Sequence, residues 1–485
     1  MNPSNSLILL QMNDLHAYLE PHIERFWGPK GAEFRQAGGL ARIASLMDSI
    51  RQGSPDSVLA FDCGDTFHGT HAAVSTRGQA LIPSLNKLKL DAMTGHWDFA
   101  YGPDRLKELV NQLNYPMLAA NCFDETSGKL FFPPAKLFEV AGLRIGVIGL
   151  AAVIVGHMPS HFHQGVHLTL GNEQLPTHID HLRREDKADI IVVISHLGFP
   201  QDMKLAAQIP GIDVLLSAHT HNRLTTPAIV GRTIVIQSGS HGAFIGQLAL
   251  RVENGRIDDF EHRLITIDDS IRPSPEVHEE VERALAPARD ELSQVVGHTA
   301  TALYRDYVLE STMDNLLLES LMAATGAPLA FSNGWRYGAP ILPGPVTLND
   351  LWNIIPVNPP VSTVELSGAE IWSMLEENLE AVFARDPYDQ KGGYVKRALG
   401  LRAYVKLENP YGQRLQELFI GDEVVRPDKH YTAAFVTAQG VPEKYGESRR
   451  NLDFDAITAL KNYLAPSRDG RSPVEIQRRN TYVVV

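Results

Sequence analysis

Asp14 with His16, Asp65, His96, His196, and His219 with His221 are side chains that bind divalent metals, and each stands just after a short apolar run. The first run ends in Asn13-Asp14-Leu15-His16, a spacing that lets both donors of an extended segment turn toward one ion. The second ends in Asp62-Cys63-Gly64-Asp65-Thr66-Phe67-His68-Gly69, where flanking glycines permit a tight turn that aims Asp65 off the strand. Thr94-Gly95-His96-Trp97-Asp98-Phe99 follows a third run, and Ser195-His196-Leu197-Gly198 and Ala218-His219-Thr220-His221 close two later ones. A single histidine in such a place is more often a packing residue than a ligand. Two carboxylates and five histidines at successive run ends are a set that one edge of an α/β sheet can gather. Mixed oxygen and nitrogen donors suit Mn²⁺, Zn²⁺ or Fe²⁺ better than Ca²⁺, which takes mostly oxygen. A carboxylate placed like Asp65 can bridge two ions about 3.5 to 4 Å apart, where a water of lowered pKa attacks a polarised ester.

The elements that must position these residues follow from hydrophobic pattern. Runs at 6–12, 58–61, 88–93, 117–120, 145–150, 190–194, 214–216 and 233–236 have few alternating polar positions and read as buried strands. Helix-compatible segments at 40–50, 80–88, 103–113 and 175–184 lie between several of them, which predicts a layered α/β domain over 1–268. Near Asp268 the chain turns polar. Ser274 and Pro275 then suit a helix start, and Val277, Val281, Leu285, Ala288, Leu292 and Val295 recur at helical spacing, interrupted by Pro287 and ended by Gly297. This predicts a linker helix within 269–297 and a second, α+β domain over 298–485. There, Ser367-Gly-Ala-Glu370 is a capping box ahead of Ile371, Leu375, Leu379 and Val382.

Composition sets outer limits. With 485 residues the chain is too long for one ordinary core, and 44% hydrophobic with 21% charged residues describes a globular protein. No apolar run nears the roughly 20 residues that span a bilayer, so no membrane partner is expected. A formal charge of −13 argues against a nucleic-acid polymer as partner, because a phosphate backbone attracts basic surfaces. The first ten residues lack the pattern of an export signal, which predicts a cytoplasmic address. Cys63 and Cys122 sit in apolar runs without metal-ligand spacing and read as small core residues.

Asp14-x-His16, Gly64-Asp65, Gly95-His96, Ser195-His196 and His219-Thr-His221 together resemble the motif series of the calcineurin-like metallophosphoesterases. The second half is similar to the C-terminal domain of the bacterial 5′-nucleotidases. The resemblance implies a β-sandwich flanked by helices, followed by an α+β substrate-binding domain. It also implies two divalent ions, Mn²⁺ first and Zn²⁺ or Fe²⁺ as alternatives. Carried over motif by motif, Asp14, His16, Asp65 and His221 would hold one ion, and Asp65, His96, His196 and His219 the other. Arg336 matches the family arginine that clamps the anion, Tyr394 stands where the first of two base-stacking rings is found, and Tyr445 loosely echoes the second.

The third motif departs from the family. Most relatives read Gly-Asn-His-Glu/Asp there, with the Asn a metal ligand and the His assisting the leaving group. Here His96 stands for the Asn, Trp97 for the His, and Ala100 for the Asp that supports that His. Positioned acids contribute about 10² to 10⁴ in rate, so an unreplaced loss predicts a slow phosphatase or another chemistry. His68, His157, His161, His163 and His241 are the residues that could stand in. The Gly-His-Trp form resembles the thiosulfohydrolase branch, dimanganese relatives that release sulfate from a cysteine S-sulfonate on a carrier protein. Ser332-Asn-Gly334-Trp335-Arg336-Tyr337-Gly338 and Asp386-Pro-Tyr388-x-Gln390-x-Gly392-Gly393 look like that branch too.

Three readings follow. The first is a dimetal hydrolase of small phosphate esters, 5′-nucleotidase-like, with a metal-activated water as nucleophile and His96, Asp65 and Arg336 as its working residues. The second is a thiosulfohydrolase-like enzyme acting on a carrier protein. The third is a non-catalytic metal-binding sensor.

Overall fold

The computed structural model describes residues 5–485, and the chain divides after Pro287 into two compact units. In the first unit, five strands lie in the order Arg256–Thr266, Phe244–Glu253, Asn5–Met12, Val58–Asp62, Ala92–Met93. Six more lie in the order Ala228–Val230, Thr233–Ile236, Val214–Leu216, Ile190–Ser195, Leu143–Leu150, Ala135–Val140. Leu7, Leu9, Leu59 and Phe61 of one sheet meet Ile145, Val147, Val192, Ile194 and Ile236 of the other in a shared core. The intervening residues Ile148, Leu150, Ile191, Val193 and Val235 face outward, against Ile179 and Leu182 of helix Leu175–Arg184 and Leu205 of helix Phe199–Gln208. Burial on both faces is why these strands are continuously apolar rather than alternating. The result is an α/β sandwich flanked by helices.

Parallel pairing sets up the site. Asn5–Met12 runs parallel to Val58–Asp62, which runs parallel to Ala92–Met93. In the second sheet Leu143–Leu150, Ile190–Ser195, Val214–Leu216 and Thr233–Ile236 are likewise successive parallel neighbours. The loops that leave these strands therefore start from a common edge of each sheet.

Several local expectations change. Residues 117–120 form no strand; Met117 makes only an isolated bridge to Met93, while the Leu118 and Ala120 N–H groups donate to Met93 and Gly149 carbonyls. Of 88–93 only Ala92–Met93 pairs. The linker helix is Pro275–Leu285, with Pro275 in its first turn and Val277 and Val281 buried, and it packs on helices Leu40–Gly53 and Ile82–Lys87 within the first unit. Beyond Pro287 only a short helix, Arg289–Leu292, remains. Val295 and Gly297, expected at the end of that helix, belong instead to strand Val295–Thr299, which pairs with Gly344–Thr347. The apolar spacing there satisfies a helical period, but a β-branched pair and a glycine are equally suited to a short strand.

The second unit is α+β. Its five-stranded sheet runs Tyr394–Leu399, Leu329–Gly334, His430–Phe435, Pro360–Ser367, Glu447–Asp455. Helix Gly368–Phe383 covers it, started by the capping box: Ser367 Oγ accepts from the Glu370 N–H and Glu370 Oε2 from the Ser367 N–H at 2.8 Å. Ile371, Leu375 and Leu379 then enter the core beside Phe331, Val364 and Phe435.

Candidate metal centre

Each donor sits within a few residues of a strand's C-terminal end. Asp14 and His16 follow Asn5–Met12, Asp65 follows Val58–Asp62, and His96 follows Ala92–Met93. His196 follows Ile190–Ser195, and His219 and His221 follow Val214–Leu216. The structure brings them into two groups whose donor atoms lie within 4.8 Å of one another: Asp14, His16, Asp65 and His221, and Asp65, His96, His196 and His219. Asp65 belongs to both. Its Oδ1 lies 3.0 Å from His96 Nδ1, and its Oδ2 lies 3.3 Å from His196 Nε2 and 3.5 Å from His16 Nε2. Asp14 Oδ1 lies 3.2 Å from His221 Nε2 and 3.6 Å from His196 Nε2.

Bending the chain so sharply requires unusual backbone. Asp14, His16, Asp65, His219 and His221 all take left-handed φ values, 51°, 48°, 56°, 72° and 57°. Asp and His tolerate this region better than most residues, yet each such residue costs about 1 to 2 kcal/mol, and such strain collects at functional sites. Gly64 adopts φ 93°, and a Cβ there would come within 2.8 Å of His196 Nδ1 and 2.9 Å of Gly95 Cα, so only glycine fits.

A second layer of hydrogen bonds aims the donors. Asn13 Nδ2 and the His219 N–H both donate to Asp14 Oδ2, at 2.7 and 3.0 Å, leaving Oδ1 toward the centre. The Trp97 N–H donates to Asp65 Oδ1 at 2.7 Å. His196 Nδ1 lies 2.5 Å from the Cys63 carbonyl, which fixes the tautomer and presents Nε2. Asp98 is the residue that sequence reasoning leaves without a role. Its carboxylate accepts four backbone N–H groups, from His96 and Asp65 on Oδ2 and from Thr66 and Phe67 on Oδ1, at 2.9 to 3.0 Å. It thus ties the second and third motif loops together. Asp62 does the same within one loop, accepting from the Gly64 N–H and the Thr66 hydroxyl, and Asp202 accepts from Ser195 and Ser217. An aspartate beside a glycine turn is the available signal for the first two; Asp202, four residues after Gly198, carries a weaker one.

Electrostatics mark the centre. Burial resists ionisation of Asp65, but His96, His196 and His16 hold its carboxyl well below the usual range. Burial likewise opposes charge on His196, yet Asp65 and Asp14 outweigh it and push its pKa up to about 10. Burial raises Asp62 and Asp202 to about 7. Asp14 Oδ1, His196 Nε2 and both His96 nitrogens are buried with no hydrogen-bond partner. Two carboxylates facing five imidazoles, with unsatisfied donor atoms about 3 to 3.6 Å apart, fit a pair of divalent ions.

Trp97 is 7% exposed and packed between rings: His68 stacks on it at 4.7 Å and 24°, and Phe162 meets it edge-on at 5.5 Å. His161, exposed, lies against Phe162 at 4.6 Å; His157 is exposed and His163 half-buried on the same loop. His241 packs beside His16 and His221, its Nδ1 3.4 Å from Glu24 Oε2. Burial lowers His68 and His241 to about 4, which keeps both neutral.

In the second unit, Arg336 is half-buried, donates to the Gly393 carbonyl at 3.0 Å, and places its guanidinium 5.4 Å from the Tyr394 ring. Tyr445 does not join this pair. It is 7% exposed and belongs to the core cluster of that unit that also holds Val441 and Phe435. Both cysteines are buried free thiols.

Comparison with known proteins agrees with this organisation. Residues 8–223 match the calcineurin-like phosphoesterase family and residues 295–437 the 5′-nucleotidase C-terminal domain. The trifunctional nucleotide phosphoesterase YfkN of Bacillus subtilis is 25% identical over 96% of this chain, which spans only 34% of YfkN's own length. The solved structure of sulfate thiohydrolase SoxB from Thermus thermophilus superposes with a TM-score of 0.91 and 25% identity, covering 100% of this chain and 98% of that one. A 5′-nucleotidase precursor, also from Thermus thermophilus, shares the fold, with a TM-score of 0.86 at 23% identity over 99% of both chains. The chain joins an N-terminal calcineurin-like metallophosphoesterase domain to a 5′-nucleotidase C-terminal domain.

Proposed function

We propose that the protein hydrolyses small phosphate esters, nucleotides among them, at a dimetal centre held by Asp14, His16, Asp65, His96, His196, His219 and His221. The observation that carries this reading is Asp65, a single carboxylate shared by both donor groups. When bound, the two ions would supply Lewis acidity and an activated water. Asp65 orients the pair, with the Trp97 N–H fixing one of its oxygens. Asp98 keeps the two loops in register through main-chain bonds. Arg336, whose planar fork suits a phosphoryl or sulfonate group, is the anion clamp, and Tyr394 offers one ring face.

A second reading, hydrolysis of a cysteine S-sulfonate, is favoured by Trp97 in the family's acid position and by the likeness to the sulfate thiohydrolase. Turnover of aryl phosphates, nucleoside monophosphates, cyclic nucleotides and a cysteine S-sulfonate peptide, each with Mn²⁺, Zn²⁺ and Fe²⁺, separates the two. Phosphate release from the esters is expected. Sulfate release from the peptide with no ester turnover would replace the first reading by the second.

A further inference from the structure

Beside the first donor group lies another constellation that the dimetal centre does not use. The hairpin His22–Gly28 and Gly31–Ala37 carries His22 and Glu24 two positions apart, on one face of its first strand. The turn that follows Thr233–Ile236 brings His241 to them. Glu24 Oε2 lies 3.6 Å from His22 Nε2 and 3.4 Å from His241 Nδ1. These separations are long for hydrogen bonds, which cluster at about 2.7 to 3.2 Å. They are the edges expected of a tetrahedron whose centre is about 2.0 to 2.2 Å from each donor.

The site is built. Glu24 is 4% exposed, and the His22 side chain is 10% exposed. His22 Nδ1 faces the Glu20 carbonyl at 3.4 Å, while Nε2 points inward, buried and without a hydrogen-bond partner. Gly38 makes room for that ring, since a Cβ there would come 2.8 Å from His22 Cε1. His241 is held at φ 58°, its N–H donating to the Asp14 carbonyl at 2.7 Å. Arg223 Nη2 and the Arg25 N–H occupy the other carboxylate oxygen, Oε1, at 2.6 and 2.9 Å. One oxygen of Glu24 is thus neutralised by a guanidinium and the second is left to the two imidazoles.

We propose that His22, Glu24 and His241 form a third, zinc-type metal site with an open fourth position for water or an anionic ligand. Its ion would be a neighbour of the first of the paired ions, because the His241 ring is 5.8 and 6.0 Å from the rings of His16 and His221. The inference does not depend on which ester the enzyme cleaves.

The full-length protein, stripped with a chelator, reloaded with Zn²⁺ and dialysed, is expected to hold about three zinc ions per chain by plasma mass spectrometry. His22→Gln and Glu24→Gln are expected to hold about two. A wild-type content of about two, or variants that keep the wild-type content, would overturn the proposal. Zinc-edge anomalous diffraction from wild-type crystals gives a check that needs no variant. A peak within about 2.2 Å of His22 Nε2 is expected, and peaks at the paired centre alone would also overturn it.

Discussion

Each unit buries charge, and the two do so in opposite ways. In the second unit Asp314 is fully buried between Arg305, 2.9 Å away, and Arg397, 2.7 Å away, and it also accepts the Ser311 hydroxyl. The guanidiniums donate onward to the Tyr337, Ile354, Tyr307 and Val308 carbonyls. In the first unit Asp14, Asp65 and their histidines are buried, His221 partly, yet several donor atoms have no hydrogen-bond partner and the backbone at Asp14, His16, Asp65, His219 and His221 is left-handed. Buried charge paired with opposite charge and carbonyls, as around Asp314, where Arg397 Nε alone lacks a well-directed hydrogen bond, is structural. Buried charge left unsaturated on a strained backbone is arranged for something that arrives later.

That contrast can be broken most severely at Asp65. Asp65→Asn is expected to lose both paired ions and activity together, by metal analysis and turnover; an unchanged metal content and rate would mean that the bridge is misassigned. Asp314→Asn is expected to do the converse. Leaving two buried arginines short of charge costs about 3 to 5 kcal/mol by denaturant unfolding, with the metal content unaltered. A drop in metal content would show that the two regions are not separable. Asp98→Asn tests the supporting layer, since an amide facing four N–H groups disturbs both loops. A metal affinity lower by about 10- to 100-fold, read by competition with a chelator, is expected; wild-type affinity would make Asp98 a bystander.

A last test concerns Lys396, a buried cation in the second unit that donates to the Gln439 and Gly440 carbonyls. Burial brings it down from 10.5 to about 7. Its folded pKa is therefore below the unfolded one, so its contribution is most favourable above pH 10.5 and is lost as pH falls through 7. The urea midpoint of wild type relative to Lys396→Met should rise from pH 7 to pH 10. A flat difference would show that Lys396 is not desolvated in the folded state.

What can be read from sequence is whatever a short window encodes. The Ser367–Glu370 capping box and the doubly buried strands 145–150 and 190–194 reappear, because capping and burial periodicity are local. The dimetal donors are legible because each closes a strand. Asp98 is only faintly legible: a glycine turn stands beside it, but three of its four partners, the N–H groups of 65, 66 and 67, come from another loop about 30 positions away. Glu24 is hidden for the same reason: its companions, His241 and Arg223, are about 200 positions away. Gly297 misleads because a helical period fits more than one environment.

The bond from His196 to the Cys63 carbonyl has an evolutionary consequence. A carbonyl is present whatever side chain position 63 carries, so this anchor survives replacement of the cysteine by any residue of similar bulk. The same holds for the amides that Asp98 grips. Drift by substitution leaves such a framework intact, whereas inserting or deleting one residue between 58 and 63 would shift the Cys63 carbonyl and the amides of 65 to 67 against their partners. Lineages of this protein should therefore accept other small residues at 63, keep a hydroxyl at 66 and a large apolar side chain at 67, and stay fixed in length.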